Sequence, residues 1–421
     1  MRMKNLLLFP LLALFFSACG GDNDDPVQPR PEPEVEKAPL TILAYLVANN
    51  NLDDELLVNI GAMYDGLSDL DVAATLLVYW DGKTSIGNNG ANHLILRYET
   101  DGKGNINGLQ PLEESASMDE VFEVAEIVKE YPSQLSTDRG VMARVLQDMV
   151  KMSPTEKVGL ITGSHGSAWL NSIYTSGRSF GQDGSGTDNT ILIPDFAAAM
   201  EATGKKFDFL LFDACYMATA EVCYSFKEVA DYQIASVMEV PAYGFPYDLF
   251  MKHLFKGTVD GYTQVCQQYV DYYKYLYEET THQSWATVSL IASEGMDAMV
   301  AQLNAQIVEH KDALAKFDTS GLQEYGKSNG KYIAYDMEQF VKQLNEGEVP
   351  AAFKTQLDNT ILYKGCLEEA YPASHSVDAD NYCGLGIYIP VSARPKWNAW
   401  FKEMDWFVIS GWNEVEFTWG F

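Results

Sequence analysis

An α/β fold, with a mainly parallel sheet and helices on both of its faces, is what the sequence predicts from residue 40 onward. Short, continuous apolar runs such as 40–47 are typical of strands that are buried on both faces. Between these runs lie longer segments whose apolar residues recur at helical spacing. Because strands and helices alternate along the chain, a parallel sheet covered by helices is expected.

The predicted elements follow one another in a regular order. Strands are expected at 40–47, 72–80, 157–162, 207–212 and 233–237, and helices at 52–67, 121–129 and 139–152. Residues 171–189 are rich in Gly, Ser, Thr and Asn and indicate an exposed loop. These elements define a domain over residues 40–250. Residues 251–421 are expected to form a helical extension packed on its core, with later strands at 285–292 and 385–391.

The N-terminal segment has the pattern of an export signal. Residues 1–18 carry Arg2 and Lys4, then a short apolar run and two small residues. The run is shorter than the ~20 residues of a membrane-spanning helix. Together with Cys19 it resembles the lipobox of bacterial lipoproteins, which implies a lipid on Cys19; an ordinary signal with a chance cysteine is the alternative. We therefore expect an exported protein at the cell envelope or surface that touches the membrane only through this lipid.

Residues 19–39 are acidic and rich in proline, a composition that cannot build a core and indicates a disordered spacer. The whole chain has a formal charge of −30, which becomes −32 when Arg2 and Lys4 leave with the signal. Such a charge argues against binding to nucleic acid or to an anionic membrane surface.

The number and spacing of the cysteines argue against two further classes of protein. Apart from Cys19 the chain has five, an odd number at long spacings and without a CxxC pair. This argues against a disulfide framework and against a structural zinc site. The sequence predicts no cofactor and no assignable metal site, and it leaves calcium open.

Two sharp motifs follow two successive predicted strands. Strand 157–162 leads into Ser164-His165-Gly166, and strand 207–212 leads into Asp213-Ala214-Cys215, which a helix should follow. Ligands of open parallel sheets bind at the carboxyl ends of strands, so His165 and Cys215 meet there if the two strands are neighbours. A thiol near a helix start beside an imidazole is suited to nucleophilic catalysis.

Gly166 allows a close backbone approach, and its N–H, together with that of Cys215, is placed to bind an oxyanion. Taken singly, however, a cysteine in such a context is most often a small buried residue, and a His-Gly pair is most often a turn.

Together the two motifs resemble the clostripain family of cysteine peptidases, which has the caspase-like fold. The resemblance runs from about residue 40 to Tyr247 and includes Asn49-Asn50-Asn51-Leu52. It implies that His165 is the catalytic histidine, that Cys215 is the nucleophile, and that Asp213 lies at the floor of the pocket for the residue before the cut. The substrates would then be proteins or peptides cut after Lys or Arg.

One stretch departs from the family. Members usually carry one or two acidic residues directly after an Ala-Ser pair, whereas here Val237 and Met238 follow Ser236. Glu239, one residue later, is the candidate to supply the missing charge in the substrate pocket. An inactive surface lipoprotein that binds peptide or glycan is the competing hypothesis for the whole chain.

Several caspase-like peptidases are cut between the histidine and the cysteine, and some clostripain relatives need calcium. Here Arg178 is a single basic residue in the small-residue loop, so the bond from Arg178 to Ser179 is the candidate processing site. Lys205-Lys206 is the competing site, but it lies directly before a predicted strand. No calcium ligands can be assigned from the sequence.

Overall fold

The computed structural model describes residues 35–86, 90–113, 116–170, 179–184, 189–279, 284–328 and 331–418. The predicted signal at 1–18, Cys19 and most of the spacer lie outside the described residues. The described part from Val35 onward forms one unit.

Strands and helices alternate through most of this unit. The strands are β1 (Leu40–Ala48), β2 (Ala73–Gly82), β3 (His93–Asp101), β4 (Glu126–Glu130), β5 (Lys157–Gly163), β6 (Phe207–Asp213), β7 (Ala230–Ala235), β8 (Thr287–Ala292), β9 (Glu324–Ser328), β10 (Lys331–Asp336), β11 (Ile361–Cys366) and β12 (Gly386–Ile387). The α-helices are α1 (Asp53–Ser68), α2 (Met118–Val124), α3 (Arg139–Met152), α4 (Ile193–Glu201), α5 (Ala220–Ser225), α6 (Tyr247–Leu254), α7 (Val259–Glu279), α8 (Met296–Glu309), α9 (Lys311–Leu314), α10 (Met337–Leu344), α11 (Ala351–Thr360), α12 (Pro395–Glu403) and α13 (Asp405–Ile409).

Nine of the described strands form one sheet in the order β11-β8-β7-β6-β5-β1-β2-β3-β4. The five central strands β7, β6, β5, β1 and β2 are parallel to one another. Both edges are antiparallel, with β3 and β4 on one side and β8 and β11 on the other. The predicted α/β fold with a mainly parallel sheet and helices on both faces is therefore confirmed.

The central strand β1 explains why the sheet is covered twice. All nine of its residues are buried, and they point alternately to opposite faces. Leu43 and Tyr45 belong to one apolar core, whereas Ile42 and Ala44 belong to a second core on the other face. A strand buried on both sides needs apolar residues at every position, which is the pattern that the sequence displays.

Three local expectations are wrong. The segment 121–129 is not one helix, because α2 ends at Val124 and the chain then pairs with β3 as β4. The strand expected at 385–391 is reduced to the two residues of β12. The loop 171–189 is not exposed throughout, since Ser179, Phe180 and Asp183 are buried.

Residues beyond 250 contribute more than helices. Strands β8 and β11 extend the same nine-stranded sheet, and β9, β10 and β12 form a second, three-stranded sheet. Trp285, just before β8, donates its indole N–H to the carbonyl oxygen of Glu239 at 2.9 Å. This part of the chain thus lies against the loop that follows β7. Among the described helices, none combines the length and apolar character that crossing a membrane requires.

Candidate active site

The site lies at the carboxyl ends of β5 and β6, which are neighbouring parallel strands. Their register pairs Gly163 with Asp213. His165 and Cys215 therefore each stand two residues beyond the last registered pair, and the common direction of the strands brings both to the same edge of the sheet. The condition under which the two residues were expected to meet, that these strands are neighbours, is met by their pairing.

A cavity of about 140 Å³ opens at this edge. His165, Asp213 and Cys215 all line it. One wall comes from α1 and the residue before it, and the other from the loop after β7; their lining residues are Leu52, Glu55, Leu56, Asn59, Val240, Pro241, Ala242 and Gly244. A cavity of about 150 Å³ holds a benzene-sized group, so this one has room for a single side chain.

His165 is held by a loop that pairs with residues 179–181. Its carbonyl oxygen accepts a hydrogen bond from Gly181 N–H at 2.8 Å, and Ser167 N–H donates to Ser179 O at 3.1 Å. On the ring, Nε2 lies 2.9 Å from Oδ1 of Asn51. Since an amide oxygen can only accept, Nε2 carries the hydrogen in this contact.

Sequence reasoning assigned no role to Asn51. The signal that would have found it is its position three residues past the end of β1, because β1 is the other neighbour of β5. Asn51 and His165 thus leave adjacent strands at the same edge.

Gly166 packs directly against the backbone of Cys215. A methyl group added to Gly166 would lie 2.5 Å from the carbonyl oxygen and 3.2 Å from the amide nitrogen of Cys215. Atoms do not approach that closely without a shift, so the site requires glycine here. Gly166 lies opposite Phe180, and the hydrogen bonds between the two segments are made by the residues on either side of this pair. Gly166 and Phe180 therefore form a non-hydrogen-bonded pair, so the N–H of Gly166 points away from residues 179–181.

The Cys215 thiol is neutral in this arrangement. Its Sγ lies 3.9 Å from the carbonyl oxygen of Val240. Burial raises the pKa of the thiol to about 12, and the nearby carboxylates of Glu239 and Asp213 oppose ionisation further. A thiol in this state is a poor nucleophile until a base removes its proton.

Asp213 is buried at the base of the cavity. Its Oδ2 accepts hydrogen bonds from Tyr247 Oη at 2.9 Å, Asn59 Nδ2 at 3.3 Å and Phe245 N at 3.4 Å. Burial raises the pKa of this carboxyl group to about 6, although the Tyr247 and Phe245 hydrogen bonds favour the charged form. The carboxylate is therefore predominantly ionised at neutral pH.

Glu239 stands beside the cavity rather than in its lining. Its carboxylate is 3.7 Å from His375 Nε2, and its charge raises the pKa of Tyr216, for which burial is the larger cause. His375 in turn stacks on Trp285, with ring centroids 4.4 Å apart. The charge that the sequence suggested for the pocket is thus engaged by neighbouring side chains.

The sequence profile of the clostripain family matches residues 44–416. That range is most of the chain. The chain belongs to the clostripain family. It is therefore a cysteine peptidase, and the expected resemblance is confirmed.

Solved structures support the same fold for this clostripain-family peptidase. An inactive zymogen C11 protease from Parabacteroides distasonis is 27% identical, with a TM-score of 0.67 over 89% of this chain and 98% of that one. A secreted C11 cysteine protease from Bacteroides thetaiotaomicron, in complex with an irreversible peptide inhibitor, is 24% identical, with a TM-score of 0.68 over 89% of this chain and 99% of that one. A search of curated proteins finds no match.

Two other expectations concern positions around the site. Arg178 lies outside the described residues, whereas Ser179 is 1% exposed and donates its hydroxyl to Leu170 O at 2.8 Å. Within the described ranges, no group of three or more His, Cys, Asp or Glu residues is placed to hold a metal ion. We therefore assign no calcium ligands and derive no step through a metal.

The pKa of Cys215 predicts how the thiol reacts in the intact chain of this clostripain-family peptidase. At pH 7 a thiol with a pKa near 12 has a thiolate fraction about three orders of magnitude below that of an unperturbed cysteine. We expect alkylation of Cys215 by iodoacetamide to be slower in the folded chain than in urea by a similar factor, and to accelerate about tenfold per pH unit. Mass spectrometry of the Cys215 peptide measures the rate, and equal rates at pH 7 would contradict the neutral thiol.

Proposed function

We propose that the chain is an endopeptidase that cuts proteins or peptides after Lys or Arg, with Cys215 as nucleophile and His165 as general acid and base. The observation that carries this proposal is the register of β5 and β6, which sets both residues on one cavity whose base is Asp213. Family membership supports the reaction class, and the shared cavity supports the choice of residues.

The reaction follows from the placement of these groups. The thiol proton of Cys215 moves to His165, and the thiolate attacks the scissile carbonyl carbon. The oxyanion accepts hydrogen bonds from the N–H groups of Gly166 and Cys215. His165 then passes its proton to the leaving amine as the C–N bond breaks, and water hydrolyses the thioester in a second addition that returns the thiol.

Asn51 is the positioning residue in this scheme. Its Oδ1 holds the Nε2–H of His165 at 2.9 Å, which leaves Nδ1 as the nitrogen that exchanges the proton with Cys215 and the leaving amine. Fixing the second ring nitrogen sets both the tautomer and the orientation of the imidazole.

Asp213 gives the pocket its preference for a cation. The cavity offers apolar walls from Leu56, Val240 and Pro241 to the alkyl part of a Lys or Arg side chain, with a carboxylate at its base. In surroundings that exclude water, such a pair is strong, and leaving one partner unpaired is costly. We propose that Glu239, from beside the cavity, adds negative potential without contacting the substrate.

We propose further that the protein is exported and lipid-anchored through Cys19, with the acidic segment as a spacer. The charged, apolar and small-residue order of 1–18 supports this. One of the similar structures is that of a secreted protease.

Activation by a cut between Arg178 and Ser179 completes the proposal. One similar structure is that of an inactive zymogen, which supports a latent form of the intact chain. Because Ser179 is buried and its hydroxyl donates to Leu170 O, the cut would leave the residues after it in place.

The assignment of the nucleophile is tested by a matched pair of variants. Cys215→Ala should reduce peptide hydrolysis to background, because no other group would form the acyl-enzyme. Cys223 lies in α5, which follows Cys215, and is 0% exposed. Cys223→Ala should retain activity in the fraction of the protein that folds. The measurement is the initial rate of hydrolysis of a Lys or Arg peptide by each variant. Each rate is normalised to the amount of folded protein, which circular dichroism gives. Hydrolysis by Cys215→Ala at the rate of the unmodified chain would refute the assignment.

The role of Asp213 is tested with peptides that carry arginine or its uncharged analogue citrulline before the cut. Asp213→Asn should lower kcat/KM for the arginine peptide about 100-fold and leave the citrulline peptide little changed. In the unmodified protein the arginine-to-citrulline ratio should fall as the pH drops through about 6, because the Asp213 carboxylate becomes protonated there.

Asp208→Asn is the control for this experiment. Asp208 lies at the opposite end of β6 and is as buried as Asp213, each being 7% exposed. If Asp213→Asn still prefers the arginine peptide over the citrulline peptide, the assignment of Asp213 to the substrate pocket is wrong.

Processing is tested by N-terminal sequencing of purified protein after incubation. We expect a fragment that begins at Ser179 in the unmodified protein and none in Cys215→Ala or Arg178→Gln. Full activity of a chain that stays intact would rule out processing as a requirement.

A further inference from the structure

Besides Asp213, the cavity lining contains a second carboxylate, which the proposed reaction does not use. Glu55 lines it together with His165, Asp213 and Cys215. It lies in the first turn of α1, one turn before Asn59, whose amide contacts Asp213. Leu52, Glu55 and Asn59 recur at helical spacing, so they share one face directed at the cavity.

The three acidic residues around the site differ in their partners. Asp213 is bonded to Tyr247, Asn59 and the backbone of Phe245. Glu239 is engaged by His375. Glu55 is half-buried, and in the part of the chain that the structure describes no hydrogen bond or ion pair ends on its carboxylate.

A carboxylate on a cavity wall without a partner needs either water or a cation from outside the protein. The opposite wall is uncharged, formed by Val240, Pro241, Ala242 and Gly244. Val237 and Met238, which precede that wall, are buried and apolar. The acidic residues in the cavity lining are therefore Asp213 at its base and Glu55 on the α1 wall.

We propose that Glu55 is a specificity-determining residue, the second carboxylate that binds the basic side chain before the cut. A guanidinium group presents five donors in a planar fork and can bond to Asp213 and Glu55 at once, whereas an ammonium group is a compact point charge. Arginine should depend on Glu55 more than lysine does. The inference rests on the proposed peptidase function and adds to it a residue from a different element.

A stabilising role in the helix is the alternative, because Asp53, Asp54 and Glu55 all lie in the first turn of α1 and favour the helix dipole. Asp54 provides the control. It is exposed, it is absent from the cavity lining, and it lies in the same turn. Asp54→Asn removes the same charge from the same helix end, and the two variants should therefore have similar melting temperatures.

The experiment measures kcat/KM for peptides with arginine, lysine or citrulline before the cut, using processed enzyme. Glu55→Gln should lower the arginine-to-citrulline ratio about tenfold, as expected for a partly screened charge pair. Glu55→Lys should lower it further, and Asp54→Asn should leave it unchanged. The lysine-to-citrulline ratio should fall less than the arginine ratio.

The outcomes separate this inference from the proposed function. If the unmodified enzyme prefers arginine and Glu55→Gln keeps that preference within twofold, the role of Glu55 is refuted while the Asp213 pocket stands. An equal fall of the arginine-to-citrulline ratio in Asp54→Asn would also refute the role of Glu55. The effect would then come from the general negative charge at this end of the helix. If the unmodified enzyme cuts arginine and citrulline peptides equally, the basic pocket itself is wrong and Glu55 has no cation to bind.

Discussion

The parallel pairing of β5 with β6 is the constraint on which the site depends. Two strands that run side by side in the same direction must deliver their following residues to one edge of the sheet. With Gly163 registered against Asp213, the histidine loop and the cysteine loop emerge together. A shift of one residue would turn every β6 side chain to the other face and bury Asp213 away from the cavity. Because both strands are buried on both faces, their apolar packing fixes this register.

The protonation states of Cys215 and Asp213 follow from their burial. The same low-dielectric surroundings raise the pKa of the Cys215 thiol to about 12 and that of the Asp213 carboxyl to about 6. The first effect keeps the thiol neutral, and the second still leaves the Asp213 carboxyl group predominantly ionised at neutral pH. A cation that enters the cavity would favour both anionic forms. In the proposed function, binding of a basic substrate would therefore also favour activation of the thiol.

Much of the fold could be predicted because its central strands are continuous apolar runs. The first strand, for example, was expected at 40–47 and is found at Leu40–Ala48. The strands at the edges of the sheet were harder to predict. Residues 126–130 have helical spacing and yet form a strand, because pairing with β3 overrides local preference. At the site, His165 and Cys215 were found from their strand-end positions, whereas Asn51 and Glu55 were assigned no role. They come from β1 and α1, and their closeness to the site depends on the order of strands in space, which sequence spacing does not encode.

The sheet order has one more consequence, for the integrity of the molecule. Residues 171–178 lie within the connection from β5 to β6, which also contains α4, and the described cysteines are all free thiols. A backbone cut in this loop would convert one chain into two polypeptides joined without any covalent link between the described residues. The β5–β6 ladder and the contact of Ser167 with Ser179 would bridge them. Folding would then become a bimolecular association, so the cut protein would gain concentration-dependent stability and, once unfolded and diluted, would reassemble more slowly than the intact chain.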